Sequence, residues 1–229
     1  MRARHISVEP SILYFGTPVV LISTLNEDGS ANIAPMSSAW WLSWRCMLGL
    51  GSSGKTTENL LRTGECVLNL PSVNEVDLVN RLALTTGSDP VPDNKAKRGY
   101  RHEPRKFQTA GLTPVPSETV APPRALECPV QMEAVVAARH GLGEDGPWKG
   151  AMGAFEVRIQ RVHVRPDLMM EGYENRIDPD KWRPLIMSFQ QFYGLAPAKA
   201  HPSLLGQVAE EHYRGPDIDR ARAVAAVVS

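Results

Sequence analysis

Residues 19–35, VVLISTLNEDGSANIAP, decide the predicted fold, because they contain two strand patterns joined by a tight turn. The β-branched run at 19–24 predicts one strand, and residues 30–35 predict its partner. Between them, residues 26–29 include the Asp28-Gly29 pair, which readily takes the positive φ angles of a hairpin turn. The segment therefore indicates an antiparallel β-sheet near the start of the chain.

Further strands and a few helices are indicated along the rest of the chain. Apolar runs bounded by turn residues predict strands at 46–51, 66–70, 126–138 and 153–164. Capping residues and helical spacing predict helices at 55–62 and 73–84, and the tail contains a polar helix at 203–213. Residues 85–123 are polar and rich in proline, which is typical of a long surface loop. These patterns predict a mainly β fold, a small antiparallel β-barrel with helical decoration.

The composition excludes several classes of protein. The 229 residues fit one domain with or without an appendage, and 25 basic residues balance 25 acidic ones, so no nucleic-acid partner is expected. The cysteines, Cys46, Cys66 and Cys128, form no CxxC pair, which argues against a metal site or a disulfide framework and favours a reducing cytoplasm. The sequence contains neither a signal peptide nor an apolar run of roughly 20 residues, so no membrane association is expected.

A first candidate binding segment is residues 32–41, NIAPMSSAWW, at the end of the hairpin. Its hydroxyls, backbone N–H groups and indole rings could bind a planar heteroaromatic ring and hydrogen-bond its polar edge. The alternative is a strand end whose tryptophans fill the core. Taken alone, this segment favours the alternative.

A second candidate segment is residues 51–59, GSSGKTTEN, a Gly/Ser loop that opens a predicted helix. Free N–H groups at a helix N-terminus, two threonine hydroxyls and a lysine are typical of a phosphate site. Together with Gly49, the segment also matches the GxxxxGK[ST] motif of P-loop NTPases. That motif belongs to a parallel βαβ core, whereas hairpin-linked strands are predicted here. We therefore predict a phosphate site, with an NTPase or an ordinary capped helix as the alternatives.

A third segment, residues 101–107 (RHEPRKF), continues through GLTP at 111–114 to LECPV at 126–130. In this order, the three segments resemble the flavin reductase-like family, which includes flavoredoxins and the reductase components of two-component monooxygenases. The similarity runs from about Leu13 to Leu168. Residues 55–60 are similar to the family's Lys-x-Thr-x-x-Asn-Ile/Leu phosphate helix. Lys106-Phe107 followed by Gly-Leu-Thr is similar to its loop near the flavin.

The resemblance implies an FMN-binding split β-barrel of six antiparallel strands, Greek-key-like, that forms a homodimer with FMN close to the subunit interface. It implies that the isoalloxazine ring and ribityl chain contact Asn32, Ser37, Ser38, Ala39 and Trp40. It implies that the phosphate contacts Ser52, Ser53, Lys55, Thr56 and Thr57. Lys106 would reach the flavin from the long loop, and His140 stands where family members often carry a histidine. FMN rather than FAD is expected, since no Rossmann-type GxGxxG within a parallel βαβ unit is predicted.

We therefore predict a cytoplasmic oxidoreductase that passes electrons from NAD(P)H through FMN to a small acceptor, with Lys106 and His140 as catalytic residues. The family's Gly-Asp-His stretch is absent, because Ala138 and Arg139 precede His140, and this bears on the nicotinamide more than on FMN. Residues 1–168 are predicted to form the FMN-binding domain and 169–229 an extension packed on the barrel or on the dimer partner. A flavin carrier without its own substrate is the alternative on the same fold.

Overall fold

The computed structural model of the protein describes residues 5–228, and its central feature is one large antiparallel sheet. The strands in chain order are β1 (Thr17–Pro18), β2 (Val20–Leu25), β3 (Ala31–Met36), β4 (Ala39–Leu42), β5 (Arg45–Gly51), β6 (Glu65–Leu70), β7 (Thr85–Thr86), β8 (Arg101–His102), β9 (Pro114–Val115), β10 (Arg124–Ala125), β11 (Val130–Leu142), β12 (Met152–Val164), β13 (Ile186–Ser188) and β14 (Gln191–Tyr193). The helices are α1 (Lys55–Thr63), α2 (Val76–Arg81), α3 (Asp93–Ala96), α4 (Lys106–Ala110) and α5 (Asp217–Val228).

The sheet has seven strands in the order β3-β2-β6-β11-β12-β5-β4. Its two edge strands, β3 and β4, are separated in sequence only by Ser37 and Ser38, a link that spans roughly 10 Å at most. A flat sheet of seven strands would hold its edges roughly 29 Å apart, so this sheet curls until the edges meet at that corner. Within residues 5–228 no ladder joins β3 to β4. The mainly β, antiparallel prediction is confirmed, while the expected six-stranded barrel is a curled, open sheet of seven strands.

The hairpin predicted from residues 19–35 is confirmed as β2 and β3, which pair from Val20↔Met36 to Leu25↔Ala31. Its turn is stabilised because the backbone N–H of Ser30 donates to Asp28 Oδ1 at 2.9 Å. Gly29 has a φ of 80°, the left-handed conformation that glycine adopts without a steric penalty. The local sequence therefore sets the register of the first two strands.

The sheet is buried on both faces, because apolar residues along β2 alternate between two cores. Residues of the first core include Ile22, Leu48, Leu60, Leu68 and Phe155. Residues of the second core include Leu21, Ile33, Val79, Phe107 and Leu112. Helix α1 contributes Leu60 to the first core, whereas α2 and α4 pack against the second. The two cores hold these helices in place at the sheet.

All three cysteines are buried free thiols. Cys46 and Cys66 belong to the first core and Cys128 to the second. Burial raises the pKa of the Cys46 thiol to about 12, and it raises the pKa of the Cys66 and Cys128 thiols as well. The thiols are therefore protonated at neutral pH.

A buried carboxylate on β11 ties the loop before β10 to the sheet. Glu133 is fully buried and accepts hydrogen bonds from the backbone N–H groups of Glu118 and Thr119, at 2.9 and 2.6 Å. Its other partners are the Thr119 hydroxyl at 2.6 Å and His163 Nε2 at 2.7 Å. Burial raises the pKa of the Glu133 carboxyl, but the hydrogen bonds outweigh burial and lower it to about 2. The ionised side chain therefore anchors this loop.

Several predicted elements have different bounds in the structure. The helix predicted at 73–84 is divided into a 3-10 turn, Val73–Glu75, and the helix α2 that follows it. Ser72 caps the 3-10 turn, because its hydroxyl oxygen accepts from the N–H of Asn74. The strand predicted at 126–138 begins only at Val130, after Pro129, which has no N–H to donate. The helix predicted at 203–213 is wrong: the segment forms the 3-10 turns Leu204–Gln207 and Glu210–Tyr213, and the tail's helix is α5. A further 3-10 turn lies at Pro166–Leu168.

The tail returns to the sheet in two places. Strand β13 pairs with β1, matching Thr17 with Met187, and also with β14. Helix α5 lies against β12, and its Asp217 forms an ion pair with Arg45 of β5 at 2.8 Å. The division of the chain at residue 168 stays a prediction.

Candidate functional site

The start of α1 is an open helix N-terminus at the end of strand β5. The preceding turn is closed by hydrogen bonds from the Gly54 N–H and the Thr57 hydroxyl to the Gly51 carbonyl, at 3.3 and 2.8 Å. Gly54 is the N-cap residue and, having no side chain, supplies no cap to the first-turn N–H groups. A helix start of this kind attracts an anion, because its free N–H groups carry partial positive charge.

Buried polar side chains lie directly behind this helix start. Asn32, only 2% exposed, donates to the hydroxyls of Thr24 and Thr56, both at 3.3 Å. Within residues 5–228 the Oδ1 atom of Asn32 has no donor, and neither has that of Asn59. A Cβ on Gly87 would lie 2.8 Å from Asn32 Oδ1, so glycine is required there. A buried acceptor without a donor is costly, and a ligand or water would remove that cost.

Lys106, the first residue of α4, brings a buried positive charge into this region. Its side chain is 3% exposed, and no group within residues 5–228 accepts a hydrogen bond from its ammonium. Burial, together with the nearby charge of Lys95, lowers the pKa of Lys106 to about 8, and Glu103 opposes the shift. The ammonium group is still charged at neutral pH, and its field is only weakly screened. A negatively charged ligand would stabilise it.

The long proline-rich segment folds back over the start of α1. Ser88 donates from its hydroxyl to the Ser53 carbonyl at 3.5 Å, and its own carbonyl lies 3.1 Å from His102 Nδ1. Strands β7 and β8 pair in parallel and close this excursion. Lys95 of α3 donates to the Thr86 hydroxyl at 3.2 Å. The sequence analysis did not select Lys95, because a lysine in a polar segment carries no pattern that separates it from a solvated one.

The predicted phosphate residues gather at the helix start, but several of their side chains already have partners. The Ser52 hydroxyl donates to the Gly150 carbonyl at 2.6 Å. The Lys55 ammonium lies 2.7 Å from Glu58 Oε1. Thr56 and Thr57 are buried beside Asn32 and Gly51, as described above, and Ser53 is exposed.

The predicted ring-binding residues are spread over the corner between β3 and β4. Ala39 belongs to the first core, whereas Trp40 on the edge strand is 57% exposed. Ser37 is half-buried, and exposed Ser38 accepts from the Gly49 N–H at 2.8 Å through its carbonyl. The core-filling alternative therefore holds for Trp41, which packs against the first core, but not for Trp40, which faces outward.

His140 lies on a different part of the sheet. Strand register places it opposite Ala154, which in turn lies opposite Gly49. The imidazole is 56% exposed, and its Nε2 is 4.0 Å from Glu156 Oε2. No hydrogen bond or ion pair joins it to the start of α1 in the described part of the chain. Its catalytic role stays a prediction.

The P-loop alternative does not fit this topology. Gly49 lies inside β5, whose partners β4 and β12 are both antiparallel to it. A P-loop joins a strand of a parallel sheet to its helix, and the main sheet contains no parallel pair among residues 5–228. The Gly-Lys-Thr sequence of α1 therefore has the composition of that motif without its structural context.

Another concave surface, a cleft of about 950 Å³, lies between β12 and the tail. Residues lining it include Trp44, Gln160, Tyr173, Arg176, Glu211 and Tyr213. Its charges are largely satisfied, since Arg176 and Glu211 pair at 2.7 Å. The start of α1 is the better candidate, because the Lys95 ammonium beside it forms no ion pair within residues 5–228.

Two further absences apply to residues 5–228. They contain no helix long and apolar enough to cross a bilayer. They also contain no group of three or more His, Cys, Asp or Glu side chains arranged to bind a metal ion.

The described residues thus combine a curled antiparallel sheet with a long loop that folds over the uncapped start of α1. The family model described as "Flavin reductase like domain" matches residues 12–196. The chain therefore belongs to the flavin reductase-like family, as its sequence motifs predicted.

Individual relatives agree with this assignment. The chain is 39% identical over 193 residues to the uncharacterized protein YdfE of Bacillus subtilis, covering 84% of this chain and 90% of YdfE. Flavoredoxin of Desulfovibrio vulgaris (Miyazaki F) superposes with a TM-score of 0.69 at 21% identity, covering 89% of this chain and all of that one. Nitrilotriacetate monooxygenase component B from Bacillus cereus superposes with a TM-score of 0.67 at 21% identity, covering 87% and 100%. At these identities the two structures show a shared fold.

Proposed function

We propose that this protein binds FMN at the start of α1 and works as an oxidoreductase that passes electrons from NAD(P)H to a small acceptor. One observation carries the proposal: the buried Lys106 ammonium has no hydrogen-bond partner in residues 5–228 of this flavin reductase-like chain. It feels the charge of Lys95, whose Nζ lies beside the uncapped start of α1. Buried cations without partners are costly, and they are typical of sites that bind an anionic ligand.

The residues at this place fit a phosphorylated flavin. The first-turn N–H groups of α1 can donate to a phosphate. Because the Thr57 hydroxyl donates its proton to the Gly51 carbonyl, its oxygen can accept from a ribityl hydroxyl of the flavin but cannot donate to the phosphate. The donor-free Oδ1 of Asn32 can accept from an imide or hydroxyl group of the ligand. Residues 49–54 match GxGxxG between β5 and α1, but both neighbours of β5 are antiparallel to it. The described residues therefore lack the parallel βαβ turn that binds the diphosphate of a dinucleotide, which supports FMN over FAD.

The chain's own residues would bind and orient the cofactor and control charge around it. FMN, when bound, supplies the redox chemistry by accepting electrons from a donor and releasing them to an acceptor. Lys106 would hold positive charge at the site and favour negative charge on its ligand. His140, which is exposed, could exchange a proton with solvent or orient a donor that approaches along β11.

A homodimer is part of the proposal. Edge strand β4 exposes Trp40 and Leu42, at 57% and 72%, and large apolar residues on an unpaired edge are typical of an interface. The corner between β3 and β4 also carries the predicted ring-binding residues, so a second copy there would cover the flavin site. The C-terminal extension, residues 169–229, would pack on the sheet or on that second copy.

The cofactor test starts with the purified protein. Its visible spectrum should show oxidised flavin, and ligand released by heat should elute with an FMN standard rather than with FAD. FAD as the main species, or no flavin after reconstitution with FMN, would refute the cofactor assignment.

The reaction test is anaerobic stopped-flow bleaching of the bound flavin by NADH and by NADPH. Wild type should bleach faster than free FMN, and Lys106→Met and His140→Ala should slow bleaching. Lys97→Met is the matched control, because Lys97 is an exposed lysine at the end of α3. Bleaching no faster than that of free FMN, with flavin still bound, would refute the reductase assignment and favour the flavin carrier.

A further inference from the structure

Lys55, the cation that the sequence pattern assigns to the phosphate, already has an anionic partner. Its ammonium lies 2.7 Å from Glu58 Oε1, one turn further along α1. The carboxylate neutralises much of the lysine's field, so Lys55 offers a ligand less than a free cation would. Another group must supply positive charge if this site binds a dianion.

Lys95 is placed to supply that charge. A Cβ built on Gly54, the N-cap of α1, would lie 3.7 Å from Lys95 Nζ. The hydroxyl of Thr86 accepts from Lys95 Nζ at 3.2 Å and so fixes the ammonium over the helix start. No carboxylate forms an ion pair with Lys95 within residues 5–228. The cation is held in place by a neutral hydroxyl alone.

A second observation indicates that an anion belongs between these groups. Lys106 is 97% buried, lacks a hydrogen-bond partner in the described chain, and feels the positive charge of Lys95. Two like charges and the positive end of α1 therefore lie in one region, and neither lysine forms an ion pair with a carboxylate within residues 5–228. Such an arrangement is unfavourable by itself and becomes favourable when a ligand brings negative charge.

We propose that Lys95 binds the terminal phosphate of the flavin and makes the site prefer FMN to riboflavin and to FAD. This inference rests on the proposed function and adds the residue that selects the cofactor. A phosphate monoester carries close to two negative charges at neutral pH, whereas riboflavin has no phosphate. Each phosphate in the diphosphate of FAD carries a single charge and cannot satisfy a site built for a terminal dianion as fully.

The test measures dissociation constants of FMN, FAD and riboflavin by quenching of flavin fluorescence. Wild-type apoprotein is compared with Lys95→Met, with Lys95→Arg, and with the matched control Lys97→Met, an exposed lysine directly after the same short helix. Lys95→Met should weaken FMN binding by about tenfold or more, the loss expected for one charge-assisted hydrogen bond. Riboflavin binding should not change, because riboflavin lacks the group that Lys95 contacts. Lys95→Arg should keep most of the preference for FMN, and Lys97→Met all of it.

The outcomes separate this inference from the proposed function. If wild type binds no flavin, the proposed function fails and the inference fails with it. If wild type binds FMN and Lys95→Met leaves the ratio of FMN to riboflavin affinity unchanged, only the role of Lys95 is refuted. An equal loss for FMN and riboflavin would show that Lys95 holds the loop rather than the phosphate. Should Lys95→Met fail to fold, Thr86→Val decides the matter, because it removes the hydroxyl that positions the Lys95 ammonium. A reduced ratio of FMN to riboflavin affinity in Thr86→Val would support the proposal, and an unchanged ratio would overturn it.

Discussion

Replacing Lys106 by methionine should stabilise the ligand-free protein at neutral pH while it weakens flavin binding. The side chain is 3% exposed, and its pKa falls from 10.5 to about 8, chiefly because burial disfavours the ammonium form. At about 1.4 kcal/mol for each pH unit, this corresponds to roughly 3 kcal/mol of unfolding free energy lost to the buried charge. Methionine has a similar length and no charge, so it removes that cost.

The predicted effect depends on pH in a defined direction. Below about pH 8 the lysine is charged in both the folded and unfolded states, and the full cost is present. Between about pH 8 and 10.5 only the unfolded state binds the proton, so the stability of wild type rises with pH. The gain in Lys106→Met should therefore be roughly 3 kcal/mol at pH 7, about 1.5 kcal/mol near pH 9.5, and negligible above pH 10.5.

Urea denaturation of the apoproteins at pH 7 and pH 9.5 measures both values, with Lys97→Met as the control for loss of an exposed lysine. In parallel, the affinity of wild type for FMN should fall as the pH rises through about 8, because the ligand loses its positive partner. A Lys106→Met apoprotein that is less stable than wild type at pH 7 would refute the reasoning. So would a stability difference that is the same at both pH values.

Two further predictions concern the rest of the fold. Glu133→Gln should destabilise the protein by roughly 3 kcal/mol at pH 7, because the pKa of the carboxyl is lowered from 4.5 to about 2 in the folded state. The difference in unfolding free energy should shrink as the pH falls from 4.5 towards 2. Urea denaturation at pH 7 and pH 3 measures it, and a difference that is the same at both pH values would contradict the prediction. Sedimentation should show a dimer of the 25.2 kDa chain. Leu42→Glu on edge strand β4 should shift the protein to monomer, whereas Leu204→Glu in the exposed tail should not. A wild-type monomer at micromolar concentration would contradict the predicted dimer.

The parts of the fold that the sequence predicted are those with local determinants. The β2–β3 hairpin could be predicted from Asp28-Gly29, because the turn needs a positive φ and glycine is the residue that adopts it readily. Helix α1 likewise ends where Gly64 takes a φ of 70° and donates its N–H to the Leu60 carbonyl. Such signals involve neighbours within a few residues, and tertiary contacts do not override them here.

The parts that the sequence did not predict depend on contacts between distant residues. The pairing of Thr17 with Met187 joins two short segments that have no strand pattern of their own. The positions of Lys95 and Glu133 depend on how the long loop packs, so the sequence alone shows only a polar lysine and a glutamate in a strand. For the same reason the motif at 55–60 indicated the helix start, whereas the pairing of Lys55 with Glu58 became visible only in three dimensions.

Reaction of the three buried thiols with a thiol reagent can report how often the folded protein opens. A thiol reagent reacts with thiolate that it can reach, and Cys46, Cys66 and Cys128 are both inaccessible and protonated while the chain is folded. Modification rates therefore report how often each core exposes its interior. Because Cys128 lies in a different core from Cys46 and Cys66, mass spectrometry of the labelled peptides can measure the opening rate of each core separately without any substitution. If added flavin slows thiol modification in one core more than in the other, the binding of flavin stabilises that core against opening.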